Sequence, residues 1–314
     1  MAAPETLSVI VPILDEEEIL DEFHRRLTAA LASHAAGYEV IAVDDGSTDG
    51  TLEVLKKIRG RDPRWKIISL SRNFGHGSAC TAGLDEMSGD AAVLIDADLQ
   101  DPPELIVEFL AKRREGYDVV YGARTKRHEG PLRQFLVGCF YRTLDLFSDT
   151  PLPVNAGIFS LLDRRVADRL KALPERQRYL TGLRSWVGFK QAAVLYERQE
   201  RWGSSPSQTW VKLFKLAADA IFSFSILPLR LATFFGVALA MASFALGANI
   251  LYEKLFTDKP IIGWTSTMLA LITIGGMILI TLGIIGEYLG RIYHEIKQRP
   301  LYIVRESAGF EKKS

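Results

Sequence analysis

The sequence predicts an α/β domain built on a mostly parallel sheet, followed by helices that associate with a membrane. Two observations support this prediction. Short runs rich in Val and Ile alternate with helical patterns over the first two thirds of the chain, and two long uncharged runs occupy the last third. Alternating strands and helices favour a parallel sheet with right-handed crossovers, and an uncharged run of about 20 residues can cross a bilayer.

The predicted strands are short and apolar at nearly every position, which is typical of strands covered on both faces. They read LSVIVPIL, YEVIAVDD, KIISLS, AAVLIDAD and DVVYGAR. Helical patterns lie between them, of which EEEILDEFHRRLTAALASHA has acids in its first turn and apolar residues at helical spacing. Because ligands of such sheets bind outside the carboxyl ends of the strands, the pieces DDGSTD and DADLQD stand where a site is expected.

The two uncharged runs predict a transmembrane hairpin. Residues 231–251 and 260–286 contain no charged side chain, over 21 and 27 positions. Their glycines suit close helix contact in lipid, and the loop YEKLFTDKP between them is short. We expect helices at about 229–252 and 261–288 within a hairpin region at 229–290. The alternative is a pair of long buried helices in a soluble protein.

Basic residues around the hairpin predict its orientation. They are Lys212, Lys215, Arg230, Arg291, Lys297, Arg299 and Arg305. Because cytoplasmic flanks carry an excess of Lys and Arg, we expect a multi-pass protein of the inner (plasma) membrane with the α/β domain and the C-terminus in the cytoplasm. The expected division is 1–205 for the α/β domain, 206–228 for an amphipathic region, 229–290 for the hairpin and 291–314 for a basic tail. The amphipathic region is expected to lie in the membrane interface or to pack on the α/β domain.

Composition excludes few classes of protein. Lys and Arg together number 38, as do Asp and Glu, so the formal net charge is zero and gives no information about an anionic partner. We expect no nucleic acid partner. Cys80 and Cys139 have neither metal-ligand nor CxxC spacing, which predicts two reduced, packed thiols. The start, MAAPETLSVIVPILDEEE, lacks the basic region of a signal peptide.

The stretch DADLQDPPE places Asp96 and Asp98 two residues apart at the exit of a predicted strand. Two carboxylates at that spacing can approach one hard cation, and oxygen ligands suit Mg²⁺ or Mn²⁺, which is often shared with substrate phosphates. Such an ion neutralises the charge that develops on a departing diphosphate. The alternative is helix capping, which also accounts for Asp101 before PPELIVEFL.

Two further strand ends carry acids. In DDGSTDGT, Asp44 and Asp45 can accept hydrogen bonds from a base N–H and ribose hydroxyls, and Gly46 permits a tight turn. In VPILDEEE, the turn Pro12–Leu14 can hold a flat base, with Glu16 near the ribose. Turn and cap chemistry explains each piece separately, but three acidic strand ends on one sheet edge favour a nucleotide site.

Over nearly its whole length the sequence resembles the glycosyltransferase family 2 enzymes that load a sugar onto a polyprenyl phosphate, such as bactoprenol glucosyltransferases and dolichol-phosphate mannose synthases. The resemblance rests on SVIVPILDEEE, VDDGSTDGT, SRNFGHGSACTAGLD, LIDADLQDPPE, YGAR, SFSILPLRL and IGEYLGRIYHEIKQRPLYIV. The last two are the most specific, because soluble family 2 enzymes lack them. The resemblance implies a GT-A fold, with a Rossmann-like mixed sheet, and an inverting, Mg²⁺- or Mn²⁺-dependent reaction on a nucleotide sugar.

The resemblance also implies which residues form the site. The nucleotide-sugar contacts fall on Pro12, Leu14, Glu16, Asp44, Asp45, Asp96 and Gln100. The metal and diphosphate ligands fall on Asp96, Asp98 and Gln100. Arg124, in YGAR, faces the phosphates and is counted with Asp98 and Asn155 among the catalytic residues. Arg133 and Arg201 are implied ligands of the lipid phosphate, since guanidinium matches phosphate bidentately; ordinary surface arginines are the alternative.

The acceptor side departs from the family pattern. Many relatives have D-x-G-x-F where this chain has PVNAGIF, so that Asn155 replaces the Asp, and GSSPSQTW lacks the usual Lys. Asn155 cannot act as a base. However, a phosphate monoester has a second pKa of about 6 and is largely a dianion at neutral pH. We therefore expect the reaction to need positioning and charge screening rather than a general base.

These observations predict inverting transfer of a sugar, with glucose favoured, from a nucleotide sugar, with UDP favoured, to undecaprenyl or another polyprenyl phosphate. One rival is a processive polysaccharide synthase, but its Q-x-x-R-W motif is not matched, because RQERW places Gln199 one position too late. The other rival is a non-catalytic membrane protein that binds sugar nucleotides, against which the intact DADLQ argues. The resemblance also implies a homo-oligomer, since the family includes tetramers.

Overall fold

The computed structural model describes residues 6–32, 37–125, 156–176, 178–197, 227–256 and 263–310. These residues belong to two compact units. The described residues up to 197 and from 299 to 310 belong to the first unit, and the described residues between 227 and 298 belong to the second. The first unit is an α/β unit, and the second consists of two long helices.

The α/β unit contains, in its described part, one sheet of eight strands. They are β1 (Thr6–Ile13), β2 (Gly37–Asp44), β3 (Trp65–Leu70), β4 (Ala91–Leu94), β5 (Val119–Arg124), β6 (Ala156–Asp163), β7 (Gln191–Tyr196) and β8 (Val304–Ala308). Their order across the sheet is β7-β5-β6-β4-β1-β2-β3-β8. Six strands run parallel, and β6 and β8 run against them. The predicted α/β fold with a mixed sheet is therefore confirmed.

Helices cover both faces of the sheet, because successive side chains of a strand point to opposite sides. The helices are α1 (Leu20–Leu31), α2 (Thr51–Arg61), α3 (His76–Asp85), α4 (Ile106–Arg114), α5 (Arg164–Ala172) and α6 (Leu180–Trp186). Val9 and Val11 of β1 belong to the same buried cluster as Phe23 of α1, whereas Ile10 belongs to the cluster that contains Ala79 of α3. The helix predicted after the first strand thus buries its apolar face as expected.

The C-terminal strand β8 extends the sheet beside β3. The two strands pair antiparallel, from Ile67 opposite Ala308 to Leu70 opposite Val304. The sequence of β8, VRESA, is polar and mostly exposed, which suits an edge strand but gives no apolar signal. The sequence analysis therefore did not predict a strand in the tail at 291–314. After the two long helices, the chain returns to the α/β unit.

The second unit contains, in its described part, α7 (Leu227–Phe256) and α8 (Trp264–Ile296), which pack against each other. The segments Pro228–Glu253 and Ala270–Ile296 are long and apolar enough to cross a membrane. Their large apolar side chains are exposed along the helices, which fits a membrane-associated protein. The domain boundaries taken from the sequence remain predictions, and nearly all of 206–228 lies outside the described residues.

Candidate active site

The carboxyl ends of the parallel strands carry the polar residues that the sequence analysis singled out. β1 ends at Ile13, so Pro12 is buried in the strand and Leu14, 39% exposed, lies just beyond it. Glu16 is partly buried in the following turn, and its backbone N–H donates to Thr51 Oγ1 over 2.9 Å. This hydrogen bond fixes the turn after β1 to the start of α2.

The acidic loops after β1 and β2 hold each other in place. The Asp15 N–H donates to Ser47 Oγ over 3.0 Å, and Asp15 Oδ1 accepts from the Thr48 N–H over 2.7 Å. Glu17 Oε2 accepts from the Gly50 N–H over 2.7 Å. The carboxylates of Asp15 and Glu17 therefore stabilise these loops, as the alternative of turn and cap chemistry predicts. The same contacts give the edge of the sheet a fixed shape.

Asp44, the last residue of β2, is fully buried. Its Oδ1 accepts from the Ser47 N–H over 2.9 Å, and its Oδ2 accepts from the Ser69 hydroxyl over 2.7 Å. Gly46 follows with a φ of +75°, and a Cβ there would lie 2.5 Å from the carbonyl carbon of Arg72. Only glycine fits such a turn, so the predicted tight turn is confirmed.

Asp45 supports a different loop. Its Oδ1 accepts from the Phe74 N–H over 2.7 Å, and its Oδ2 accepts from the Gly75 N–H over 2.9 Å. Burial raises the pKa of Asp45, against the lowering effect of these two donors. The Asp44 and Asp45 carboxylates thus have partners within the chain, and a contact of either with a base or ribose remains a prediction.

The segment after β4 makes every second side chain accessible. Asp96, Asp98 and Gln100 are partly buried, whereas Ala97 and Leu99 between them are buried. Asp98 Oδ1 accepts from the Gln100 N–H over 3.1 Å, which stabilises a local turn. The three accessible polar residues are those predicted to hold a metal ion and a diphosphate.

His76, the first residue of α3, contacts Asp96, with 2.7 Å between Nε2 and Oδ1. Its Nδ1 lies 3.7 Å from Sγ of Cys80, which is buried and free, as the sequence predicted. Burial opposes protonation of His76, but Cys80 and Asp96 outweigh that effect and raise its pKa. No role was predicted for His76, although its place soon after the third apolar run was an available signal.

The residues after β4 suit a hard divalent ion that is shared with a substrate. Among the described residues, no three His, Cys, Asp or Glu side chains cluster as a self-contained metal site. Mg²⁺ is usually held by one or two carboxylates together with waters and substrate phosphates. Asp96, Asp98 and the Gln100 amide oxygen offer oxygen ligands of this kind.

Arg124 ends β5 at the same edge and is held by two residues that the sequence analysis did not place in the site. Its Nε lies 3.5 Å from the Tyr196 hydroxyl, and its Nη2 lies 4.0 Å from Asp101 Oδ1. The Tyr196 hydroxyl donates in turn to Asp101 Oδ1. Burial and the neighbouring Asp101 raise the pKa of Tyr196. Asp101, which the sequence suggested as a helix cap, thus helps to fix an arginine at the site.

The strand β8 brings one more arginine to this edge. Arg305 Nη2 donates to Ser69 Oγ over 3.0 Å and lies 4.0 Å from Asp44 Oδ2. Its side chain is 51% exposed. Because 236 positions separate Arg305 from Ser69, no local pattern in the sequence links them.

Three predicted site residues, Arg133, Asn155 and Arg201, lie outside the described residues. The other predicted residues all lie at or just beyond the carboxyl ends of β1, β2, β4 and β5. The structure therefore collects the donor-side predictions on one edge of the sheet and leaves the acceptor-side predictions untested.

Residues 8–171, more than half of the chain, match the family described as Glycosyl transferase family 2. The matched segment begins in β1 and ends in α5. It contains both strand-end motifs with paired acids.

Two relatives are similar over nearly the whole chain. The "Uncharacterized glycosyltransferase YkcC" of Bacillus subtilis (strain 168) is 46% identical over 307 residues, which cover 98% of this chain and 95% of the relative. The SfII prophage-derived bactoprenol glucosyl transferase of Shigella flexneri is 38% identical over 303 residues, which cover 96% of this chain and 98% of the relative. At such coverage, both alignments include the two long helices.

Among solved structures, glucosyl-3-phosphoglycerate synthase from Mycobacterium tuberculosis, in complex with Mn2+, UDP-glucose and phosphoglyceric acid, has a TM-score of 0.47 and 22% sequence identity. The similarity covers 69% of this chain and 78% of that chain. A similarity of this degree does not extend to ligands.

Proposed function

The chain belongs to glycosyl transferase family 2, and from that premise we propose that it transfers a sugar from a nucleotide sugar to a polyprenyl phosphate. Its family and its mixed sheet identify the fold as GT-A. The observation that carries the proposal is the similarity to a bactoprenol glucosyl transferase across 96% of this chain. That similarity extends past the α/β unit into two helices that are long and apolar enough to cross a membrane, which supports an enzyme held at the bilayer that contains its acceptor.

UDP-glucose is the proposed donor, and undecaprenyl phosphate is the proposed acceptor. The name of the Shigella flexneri relative supports glucose as the sugar and a polyprenyl carrier, while UDP is the nucleotide favoured by the family resemblance. The base and ribose are proposed to bind at the ends of β1 and β2. The accessible side chains of Leu14 and Glu16 are the supporting observation.

Asp96, Asp98 and Gln100 would hold Mg²⁺ or Mn²⁺ in this enzyme. When bound, the ion would neutralise the charge on the departing nucleoside diphosphate. Arg124, fixed by its buried neighbours at the same edge, provides a preorganised positive charge for the developing phosphate oxyanion. The chain itself thus supplies orientation and charge screening.

The acceptor supplies its own nucleophile. With a second pKa of about 6, its phosphate monoester is largely a dianion at neutral pH. One phosphate oxygen forms a bond to the anomeric carbon of the sugar as the bond from that carbon to the nucleoside diphosphate breaks, with inversion. No proton has to leave the attacking oxygen, so positioning is the main requirement. Asn155 is proposed to orient the acceptor or the sugar by hydrogen bonds.

The catalytic unit and the C-terminus are proposed to face the cytoplasm, with α7 and α8 crossing the inner membrane. The strand β8 supports this arrangement. After α8 the chain returns to pair with β3 of the same sheet. The chain thus leaves the α/β unit before α7 and joins it again after α8, which supports the proposal that both ends of the helical pair lie on one side of the bilayer. The basic flanks favour the cytoplasmic side.

Single cysteines test this topology in a background without Cys80 and Cys139. An impermeant thiol reagent applied outside intact cells should label Thr257→Cys, between the two helices, and should spare Ser314→Cys. After the cells are permeabilised, both cysteines should react. Labelling of Ser314→Cys in intact cells would contradict the proposed orientation.

The transfer itself is tested with purified enzyme, undecaprenyl phosphate and a panel of radiolabelled nucleotide sugars. Label should move into the organic phase, most rapidly from UDP-glucose. Binding of a nucleotide sugar without any such transfer would contradict the proposed function and favour the non-catalytic rival. Products of many sugar units would favour the processive rival. The proposed homo-oligomer is checked separately by the mass of the detergent-solubilised protein.

A further inference from the structure

Arg184, in the short helix α6, is a buried arginine with unused hydrogen-bond donors. It is 2% exposed. Its Nη1 donates to the Gly157 carbonyl over 3.3 Å, and its guanidinium carbon lies 4.8 Å from the centre of the Tyr121 ring. Its Nε and Nη2 are buried and have no hydrogen-bond partner among the described residues. Two of its three nitrogen atoms are therefore left for a ligand.

The positive charge of Arg184 is not balanced by the part of the chain that the structure describes. Burial lowers its pKa to about 10, so it stays charged at neutral pH. The ionisable neighbours that act on it are Tyr121 and Tyr179, not carboxylates. Because an uncompensated buried charge opposes folding, we infer that an anion binds to the guanidinium of Arg184 in the functional protein.

Arg184 lies at the edge of the sheet where Arg124 also lies. Gly157 is the second residue of β6, and Ala156 before it pairs with Ala123, next to Arg124. A Cβ at Gly157 would lie 3.1 Å from Arg124 Nη2. Gly157 therefore lies next to both arginines: its carbonyl accepts from Arg184, and its missing side chain leaves room for Arg124. Arg124 has the Asp101 carboxylate 4.0 Å away as a counter-charge, so Arg184 is the one of the two whose charge a ligand can offset.

We propose that Arg184 binds the phosphate monoester of the acceptor. This proposal deepens the proposed function and rests on it. The donor diphosphate is met by the ion proposed at Asp96 and Asp98. The acceptor phosphate carries a charge of about −1.5 to −2 at neutral pH and needs cationic partners of its own. Guanidinium groups match phosphate oxygens in both charge and geometry.

Arg184→Met separates this role from a structural one. Methionine keeps much of the apolar volume and removes the unpaired charge, so the melting temperature of the ligand-free protein should not fall. The acceptor KM should rise by about 10- to 100-fold, because charge-assisted hydrogen bonds are lost. The donor KM should change by less than about threefold. A lower melting temperature with an unchanged acceptor KM would overturn the proposal.

Arg178 provides a matched control. Its guanidinium donates to the carbonyls of Leu170 and Leu173 over 2.7 and 2.8 Å, so its donors serve the fold. Arg178→Met should lower the melting temperature and leave the acceptor KM unchanged. Equal increases of the acceptor KM in Arg178→Met and Arg184→Met would show a general structural effect and would also overturn the proposal.

Ligand binding without turnover completes the test. Farnesyl phosphate, an apolar chain with a phosphate monoester, should raise the melting temperature of wild type but not of Arg184→Met. UDP with Mg²⁺ should protect both proteins. Selective loss of the UDP effect would assign Arg184 to the donor diphosphate and overturn the acceptor assignment. Inorganic phosphate that protects wild type as well as farnesyl phosphate does would identify a free-phosphate site and overturn it too.

These outcomes keep the two proposals apart. If wild type does not transfer sugar to undecaprenyl phosphate, the proposed function fails. In that case, protection by farnesyl phosphate that depends on Arg184 would still support a phosphate monoester site. If wild type transfers sugar and Arg184→Met keeps both its acceptor KM and its protection by farnesyl phosphate, the proposed function stands and the role of Arg184 fails.

Discussion

Buried charged side chains at the two ends of the central sheet differ in the partners that they have. At the amino end, Glu39 of β2 is nearly buried, and its Oε1 accepts from the hydroxyls of Ser8 and Ser88 over 2.5 and 2.8 Å. Its Oε2 pairs with Lys66 Nζ over 2.5 Å. At the carboxyl end, two buried nitrogen atoms of Arg184 have no hydrogen-bond partner in the described part of the chain.

This difference separates charge that serves the fold from charge that serves a ligand. The chain itself completes the network around Glu39, so that network contributes to the free energy of unfolding. At the carboxyl end, the accessible acids after β4 and Arg184 are proposed to bind a ligand in addition to their contacts within the chain, as is common at functional sites. Substitution of Glu39 should therefore change stability without changing kinetics, and substitution of Asp98 or Arg184 should do the reverse.

The largest expected effect concerns the proposed metal ligands. Asp98→Ala should reduce transfer by at least about 10³-fold, because the charge on the leaving diphosphate is no longer neutralised. Chelation of divalent ions should do the same to wild type. Transfer is measured as label entering the organic phase, and melting is followed in the same preparations. The melting temperature should stay near that of wild type, since Asp98 is partly accessible.

Asp96→Asn is the graded companion to Asp98→Ala. Because His76 lies 2.7 Å from Asp96 Oδ1, an asparagine can keep part of this contact. Asp96→Asn should therefore weaken donor binding more than it lowers kcat. Added Mg²⁺ or Mn²⁺ should restore chelated wild type but not Asp98→Ala. Full transfer by chelated enzyme or by Asp98→Ala would rule out the metal assignment.

The next largest effect concerns the support of Arg124. Tyr196→Phe removes the hydroxyl that lies near Arg124 and donates to Asp101, but it keeps the ring that packs edge-on against Phe159. We expect kcat to fall by about 10- to 30-fold, or about 1.4–2 kcal/mol, because Arg124 loses its fixed orientation. Both KM values should change less than kcat does. A lower melting temperature with an unchanged kcat would instead assign Tyr196 to the fold.

The sheet and the donor-side acids could be predicted because their signals are local. Apolar runs mark buried strands, and Asp44, Asp45, Asp96 and Asp98 each lie at or just after the end of such a run. The strand β8 was missed because VRESA is polar, and its pairing with β3 depends on residues far along the chain. An exposed edge strand carries too little apolar pattern to be recognised from sequence.

The partners inside the site were missed for the same reason. Tyr196 and Asp101 are 95 positions apart, and Arg184 meets Gly157 across 27 positions. No local pattern distinguishes a buried arginine with unused donors from an arginine on the surface. Arg133, Asn155 and Arg201 came from family resemblance and remain predictions.

At the amino end, Glu39→Gln should change stability alone. The amide loses the ion pair with Lys66 and one acceptor oxygen, which should lower the free energy of unfolding by about 1 kcal/mol at pH 7. Donor KM, acceptor KM and kcat should match those of wild type, because Glu39 lies at the end of the sheet opposite the site. A changed donor or acceptor KM in Glu39→Gln would contradict the assignment of Glu39 to stability alone.

The pH dependence of Glu39→Gln sharpens this prediction. Burial acts to raise the pKa of Glu39, but Lys66, Ser8 and Ser88 outweigh burial and leave its pKa lowered. A carboxylate with a lowered pKa stabilises the fold above its unfolded pKa of about 4.3, and this contribution is lost as pH falls through the folded pKa. The difference in stability between wild type and Glu39→Gln should therefore shrink below about pH 4. A difference that grows on acidification would contradict the assignment.

The smallest expected effect concerns Arg305 of β8. Arg305 is half exposed and reaches Asp44 partly through Ser69, and exposed contacts of this kind are worth about 0.2–1 kcal/mol. Arg305→Ala should therefore raise the donor KM by no more than about fivefold. Ser69→Ala, which removes a buried donor to Asp44, should lower the melting temperature more. If Arg305→Ala raised the donor KM by more than about tenfold without changing the melting temperature, Arg305 would contact the nucleotide directly. The strand β8 would then complete the donor site. Removal of β8 would abolish donor binding and would also remove the edge strand of the sheet.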